Sequence, residues 1–245
     1  MMTDEHEFIG EIIEASTSEF TAESYTLHAP PRFGSFVKIL MDARMDDMTP
    51  VVQETPASDP DDPFAFRAAE GSFSADYDAV MAGGDIDTST TLQPAIFAVV
   101  YSATTTSTET GKQPRAYWKA EDELAREQPQ LAEWLLMTKF QAVIVGYAHG
   151  NSIRQYLPSL PPRIHTQVFE CNAEEIARFT DRTDFLRTLV GFHNAPCDEM
   201  VAACIREALA ARNGDRDFIV NAGKELASLL RDDYERLRAI VRRIR

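Results

Sequence analysis

Ala95-Ile96-Phe97-Ala98-Val99-Val100-Tyr101 is the stretch on which the reading of this chain turns. Seven apolar residues in succession, rich in β-branched and aromatic side chains, predict a strand rather than a helix. A half-buried strand would alternate apolar and polar residues. This one does not, so it is expected to be covered on both faces.

Shorter β-rich runs lie upstream. Residues 8–14, Phe-Ile-Gly-Glu-Ile-Ile-Glu, read as a strand, residues 15–18 as a polar turn, and residues 19–25 as a second strand. Pro30-Pro31 forbids regular ladder bonding, and Gly34 supplies a bend before a third strand over 35–40. Downstream, the Ser/Thr run 102–110 ending in Gly111 reads as an exposed loop. A phosphate cradle would need clustered glycines or a helix N-terminus beside it.

Residues 119–140 predict helix, with Ala120, Leu124, Leu131, Leu135 and Phe140 on one face and Pro129 in the first turn of a second segment. Residues 141–147 return to strand. Gly150-Asn151 turns the chain into a hairpin partner over 152–157, Gly-Asn being a favoured turn dipeptide. Pro158, Pro161 and Pro162 then make an extended connector to a last strand over 163–170.

From Asn172 onward the pattern is helical. Asn172 caps a helix over 173–179 whose first turn carries Glu174 and Glu175. A short helix over 184–190 ends at Gly191. Another runs from Pro196 or Asp198 to Ala211 and stops at Asn213-Gly214. Residues 215–244 predict the longest helix, with Ile219, Ala222, Leu226, Leu230, Leu237, Val241 and Ile244 recurring every three or four residues. Such a stripe must bury against a core or form an oligomer seam.

Charge divides the 245 residues unevenly. Residues 1–92 hold 19 Asp/Glu and 4 Lys/Arg, while residues 93–245 hold 20 of each. The excess is densest over 41–92, where 12 acidic residues face only Arg44 and Arg67, with Pro50, Pro56, Pro60, Pro63 and Gly83-Gly84 interspersed. Low hydrophobicity with high net charge predicts a mobile insertion, on which Phe64, Phe66, Phe73 and Tyr77 could dock locally. A formal net charge of −15 argues against direct nucleic-acid binding. No window is long and apolar enough to predict a membrane span. The acidic N-terminus without an apolar run, together with three cysteines, leads us to expect a cytoplasmic protein.

Catalytic signatures are sparse. A P-loop needs Gly-Lys followed by Ser or Thr, whereas Gly111-Lys112 precedes Gln113 and Gly223-Lys224 precedes Glu225. There is no nucleophile elbow, zincin helix, Cys-x-x-Cys or dinucleotide glycine motif. His193, Cys197 and Cys204 would converge only if one helix spanned all three, and a fourth metal ligand is missing. Cys171 and His165, on one strand, would stand about 20 Å apart. His28 reads as a loop residue. No cofactor, metal or catalytic residue is therefore assigned.

The β segments, taken in order, resemble a HAS-barrel, the small barrel of HerA-like ATPases and of the N-terminal domains of ATP synthase catalytic-ring subunits. Ile9-Gly10-Glu11-Ile12-Ile13 resembles the opening strand, and residues 16–20 the turn into the second. Arg32-Phe33-Gly34-Ser35-Phe36-Val37 resembles the glycine-led third strand. Residues 96–100 stand where the family reads small residue-glycine-valine, with Ala98 at the glycine. Residues 142–146, Gly150 and the prolines 158–162 resemble the closing strands and linker. The resemblance implies a scaffold or docking role beside a hexameric ATPase ring. Here about 70 helical residues stand where the family's ATPase domain would be.

The expected fold class is α+β. A small closed β-barrel of six or seven strands spans 7–171, with an acidic insertion at 41–92 and a helical one at 119–140, and an α-helical domain spans 172–245. The expected function is a non-enzymatic protein-interaction or assembly module, docking on a separate ring ATPase or on another copy of itself. Phe33, Phe36, Tyr101, Leu230, Leu237 and Val241 are the candidate partner-binding residues. Two alternatives stay open: a metal-dependent enzyme with a scattered site, and an acidic regulator that imitates nucleic acid through residues 41–92.

Overall fold

The structure, a computed structural model, describes residues 8–41, 93–109, 135–150 and 152–244, with isolated positions between 114 and 127. The predicted acidic insertion beyond Met41, with its four aromatic residues, and most of the 119–134 part of the predicted 119–140 helix lie outside the described residues.

The described residues form seven strands: β1 (Gly10–Ala15), β2 (Glu19–Ser24), β3 (Phe36–Leu40), β4 (Ala95–Ser107), β5 (Leu136–His149), β6 (Ser152–Arg154) and β7 (Gln167–Glu170). Their order is β2-β1-β7-β3-β4-β5-β6, with every neighbouring pair antiparallel. β2 also pairs with β5, from Glu19 opposite Val143 to Glu23 opposite Lys139. That last ladder closes six strands into a barrel. β6 hangs outside the ring on the far end of β5 as a hairpin partner, with Gly150 turning at φ 57, but it ends at Arg154 rather than spanning the expected 152–157.

Period-two alternation sorts the strand residues into two cores. Val37 and Ile39, Ile96, Ala98 and Val100, and Phe140, Ala142 and Ile144 point into the barrel with Ile12, Phe20, Ala22 and Val168. Phe36, Phe97, Val99, Tyr101, Val143 and Val145 point outward. The outward set is covered by helices α1 (Ala173–Phe179), α2 (Phe185–Val190), α3 (Cys197–Ala211), α4 (Arg216–Leu229) and α5 (Tyr234–Ile244). Ala95 through Val100 are each at most 2% exposed, so the unbroken apolar run is buried on both faces, as its composition requires. Phe97 stacks on Phe179 at 4.7 Å, and Phe36 meets Phe179 and Phe185 at 6.0 Å each. Burying each such ring stabilises the fold by about 1.5–3 kcal/mol.

The helical starts follow local chemistry. Asn172 Oδ1 accepts the Glu175 amide, and the Glu175 carboxylate accepts the Asn172 amide, forming a reciprocal capping box. Gly191 ends α2, and the Asn213-Gly214 pair follows α3 with positive φ at both residues. Among the described residues, no helix is long and apolar enough to cross a membrane.

Four further local expectations are corrected. The Ser/Thr run does not leave the sheet: β4 continues to Ser107, opposite Leu136 of β5. Threonine is β-branched and tolerates a solvent-facing strand, and Thr105 Oγ1 bonds Thr138 Oγ1 across the ladder at 2.9 Å. Residues 136–140 are strand rather than helix, because Phe140 fills the barrel and its neighbours pair with β2 and β4. The last strand starts at Gln167, since His165 adopts φ 67 and breaks the extended run. The predicted 215–244 helix is two helices. Leu230 caps α4 at φ −111 and ψ 27, and Asp233 Oδ1 accepts the Arg236 amide to start α5. The break lets Phe218, Ala222 and Leu226 of α4 and Ile240 of α5 reach the same core from different directions.

Two features tie the barrel to the helices. Gly34 has φ 83, and a Cβ there would collide with Ala203 of α3, at 3.1 Å from both the Ala203 carbonyl carbon and the Cys204 amide nitrogen. Only glycine permits that approach. Lys38, on the outer face of β3, is 4% exposed and forms an ion pair with Glu175 of the capping box. Glu175→Gln strands a buried ammonium and is expected to cost about 3 kcal/mol in urea denaturation. Lys38→Met, which removes the buried charge, should cost less. Equal losses would show that the pair is not what this joint depends on.

Candidate functional site

The six sequence-predicted interaction residues do not share a surface. Phe36, Tyr101 and Leu230 are 1, 6 and 5% exposed and belong to the core between the barrel and the helices. Leu237 is half-buried against that same core. Only Phe33, at 42%, and Val241, at 39%, present substantial area to solvent.

Sequence reasoning missed a more continuous feature. β6 ends the sheet order, so its outer edge has no strand partner among the described residues. Immediately after it, Tyr156, Leu157, Leu160 and Ile164 stand 40–54% exposed on the connector to β7. Pro158, Pro161 and Pro162 interleave with them and keep the backbone out of regular ladders. The signal was present in the chain, as apolar residues between prolines with no polar alternation, but prolines mark such a segment as connector first.

The edge is well anchored. Gln155 donates from Nε2 to the carbonyls of Phe179 at 2.6 Å and Arg182 at 2.9 Å, and its Oε1 accepts the Phe185 amide at 3.0 Å. One side chain thus holds the connector to the α1–α2 turn. Tyr147 of β5 meets Tyr156 edge-on at 5.6 Å, and the Arg154 guanidinium lies 6.0 Å over the Tyr147 ring while donating to Tyr156 Oη at 2.9 Å. A hydrogen bond from Tyr147 and the Arg154 charge hold the Tyr156 phenol below the ordinary tyrosine value. An apolar row beside an open strand edge with a fixed cation can receive an extended peptide.

A second concavity, about 130 Å³, is lined by Glu14, Ser16, Glu19, Phe20, Thr21 and Gln141. Glu19 is fixed there: Oε2 accepts the Tyr101 hydroxyl at 2.6 Å and Oε1 accepts Asn194 Nδ2 at 3.2 Å. Tyr101 also packs on Phe192 at 4.9 Å. Burial, then the Glu19 hydrogen bond and charge, pushes the Tyr101 phenol well above its usual value. The arrangement supplies a hydrogen-bonded tie from β2 to the α2–α3 loop.

The cysteine and histidine candidates do not assemble. Cys204 is in the core, and burial raises its thiol pKa. Cys197 accepts from Arg236 at 2.6 Å and lies 3.5 Å from Asp198. His165 Nδ1 pairs with Glu11 at 2.6 Å, and burial raises the Cys171 thiol. Among the described residues no group of three His, Cys, Asp or Glu side chains is placed to hold a metal ion. His28 sits at φ 63, with Nδ1 3.5 Å from Thr105 Oγ1.

No protein-family model matches this chain, and no curated protein matches it either. The class that the geometry defines is a closed antiparallel β-barrel with helices packed on its outer face.

The raised Tyr101 pKa has a signed consequence for stability. Below pH 10 the phenol is protonated in both folded and unfolded chains. Above it only the unfolded chain releases the proton, so stability falls as pH rises. Tyr101→Phe is expected to lose less stability than wild type between about pH 10 and pH 12 in denaturant titrations. Parallel pH profiles would show that Tyr101 ionises freely in the folded state.

Proposed function

We propose that the chain is a non-enzymatic protein-interaction module that receives an extended segment of a protein partner along the outer edge of β6. The supporting observation is Tyr156, Leu157, Leu160 and Ile164, exposed on the connector that follows a strand edge with no strand partner among the described residues and held in place through Gln155. Soluble surfaces rarely gather large apolar side chains without a binding role. Main-chain pairing to β6 supplies affinity, the apolar row supplies specificity, and Arg154 favours an acidic residue in the partner strand.

The order of the barrel strands supports a finer reading, a HAS-barrel acting without its ATPase domain. On that reading the partner is a separately encoded ring ATPase and the setting is the cytoplasm.

Affinity purification at native expression, with cross-linking mass spectrometry, tests this for wild type beside Leu157→Asp/Leu160→Asp/Ile164→Asp. Circular dichroism confirms that the variant folds. A partner cross-linked to residues 152–164 in wild type should be depleted about tenfold or more in the variant. Unchanged capture by the variant, or no specific partner for wild type, overturns the proposal.

A further inference from the structure

The C-terminal helix carries a charge pattern that packing leaves unused. Residues 231–245 hold Arg231, Arg236, Arg238, Arg242, Arg243 and Arg245 against Asp232, Asp233 and Glu235. Several of these are spoken for. Arg231 pairs with Asp232, Asp233 caps α5, Arg236 pairs with Asp198 at 2.6 Å, and Arg243 pairs with Glu199 at 2.5 Å. Arg238 and Arg242 are exposed, and neither has a carboxylate partner among the described residues. Their spacing of four puts them on one face with Tyr234, 68% exposed, and Val241, while Ile240 and Leu237 turn the other way into the core. Glu235, three residues before Arg238, lies at the edge of that face and forms no ion pair with either arginine among the described residues. Arg206 of α3 reaches the same end of α5, where it donates to the Arg243 carbonyl.

A basic face with an aromatic and an apolar side chain fits an acidic segment that also carries aromatics. This chain contains one. Residues 42–92 hold 12 acidic and 2 basic residues with Phe64, Phe66, Phe73 and Tyr77, whereas residues 93–245 are neutral overall. Acid and base are thus segregated along one polypeptide. We propose that the arginine face of α5 binds the acid-rich segment 42–92 of a second copy, so that two chains associate reciprocally through these two surfaces. Reciprocal exchange gives a closed pair, in which each copy both donates its segment and offers its helix. The attraction is electrostatic and exposed, so it is salt-sensitive, and it opposes the general repulsion between two chains of net charge −15.

The inference deepens the reading of the chain as an interaction module, and rests on it for biological meaning alone. Sedimentation velocity on the full chain tests it at about 50 mM and about 500 mM salt. Wild type should form a dimer at low salt that dissociates at high salt. Arg238→Glu/Arg242→Glu should weaken the dimer about tenfold or more. A second variant replaces 42–92 by a short Asn-Gly turn, which the Met41 amide and Pro94 carbonyl, bonded at 2.9 Å, leave room to close. It should also be monomeric, and mixing the two variants should give at most a pair weaker than wild type, since only one of the two reciprocal contacts can form. A monomeric wild type at low salt, a dimer insensitive to either variant, or a mixture of the two variants that associates as tightly as wild type would overturn the inference. These outcomes are separate from partner capture at β6, which uses different residues and a different partner.

Discussion

The structure depends on β5 being shared among three partners. Along Leu136–His149 it pairs with β4 over its full length on one side. On the other it pairs first with β2 and then with β6. The β2 contact closes the ring, and the β6 contact adds the edge outside it. Register shifts near Phe97/Ala98 and Val100/Ser102 bend the β4–β5 ladder enough to serve both. Without closure, β2 and β5 would each expose a row of unpaired backbone groups. With it, the short strand β6 is left as an open edge among the described residues, next to the apolar connector in sequence.

Closure also explains why a chain of modest apolar content can afford two cores. The inner core is filled by side chains from all six barrel strands except those that face outward, and the outer core exists because β3, β4 and β5 present a second apolar face. Lys38 is the exception on that outer face, and the capping box of α1 supplies its counter-charge through Glu175. The same glutamate therefore starts a helix and neutralises a buried lysine. Gly34 sets how closely α3 approaches, and Gln155 sets where the connector meets the α1–α2 turn.

Much of the fold was legible from residues 95–101, whose unbroken apolar character required cover on both sides. The hairpin at Gly150 and the Asn172 cap were legible too, because a turn glycine and a capping side chain act within a few residues. What escaped was settled by partners distant in sequence. The 102–107 run becomes strand only because β5 lies beside it, and 136–140 becomes strand only because β2 and β4 flank it. Periodicity suggested one helix over 215–244, yet the first helix ends at Leu229 and Asp233 caps a second one. Of the candidate interaction residues, Phe36 and Tyr101 were apolar for the sake of the core. The row at 156–164 was hidden by its prolines.

The bond from the Met41 amide to the Pro94 carbonyl has a consequence for how this molecule can vary. It fastens the two ends of the 42–92 stretch at the mouth of the β3–β4 hairpin, so the ladder below is complete whatever the connection above contains. Loop-closure entropy rises only by about 0.6 kcal/mol for each doubling of loop length. The position therefore behaves as a cassette port: sequence can be lengthened, trimmed or exchanged there at small thermodynamic cost, while the cylinder beneath keeps its register.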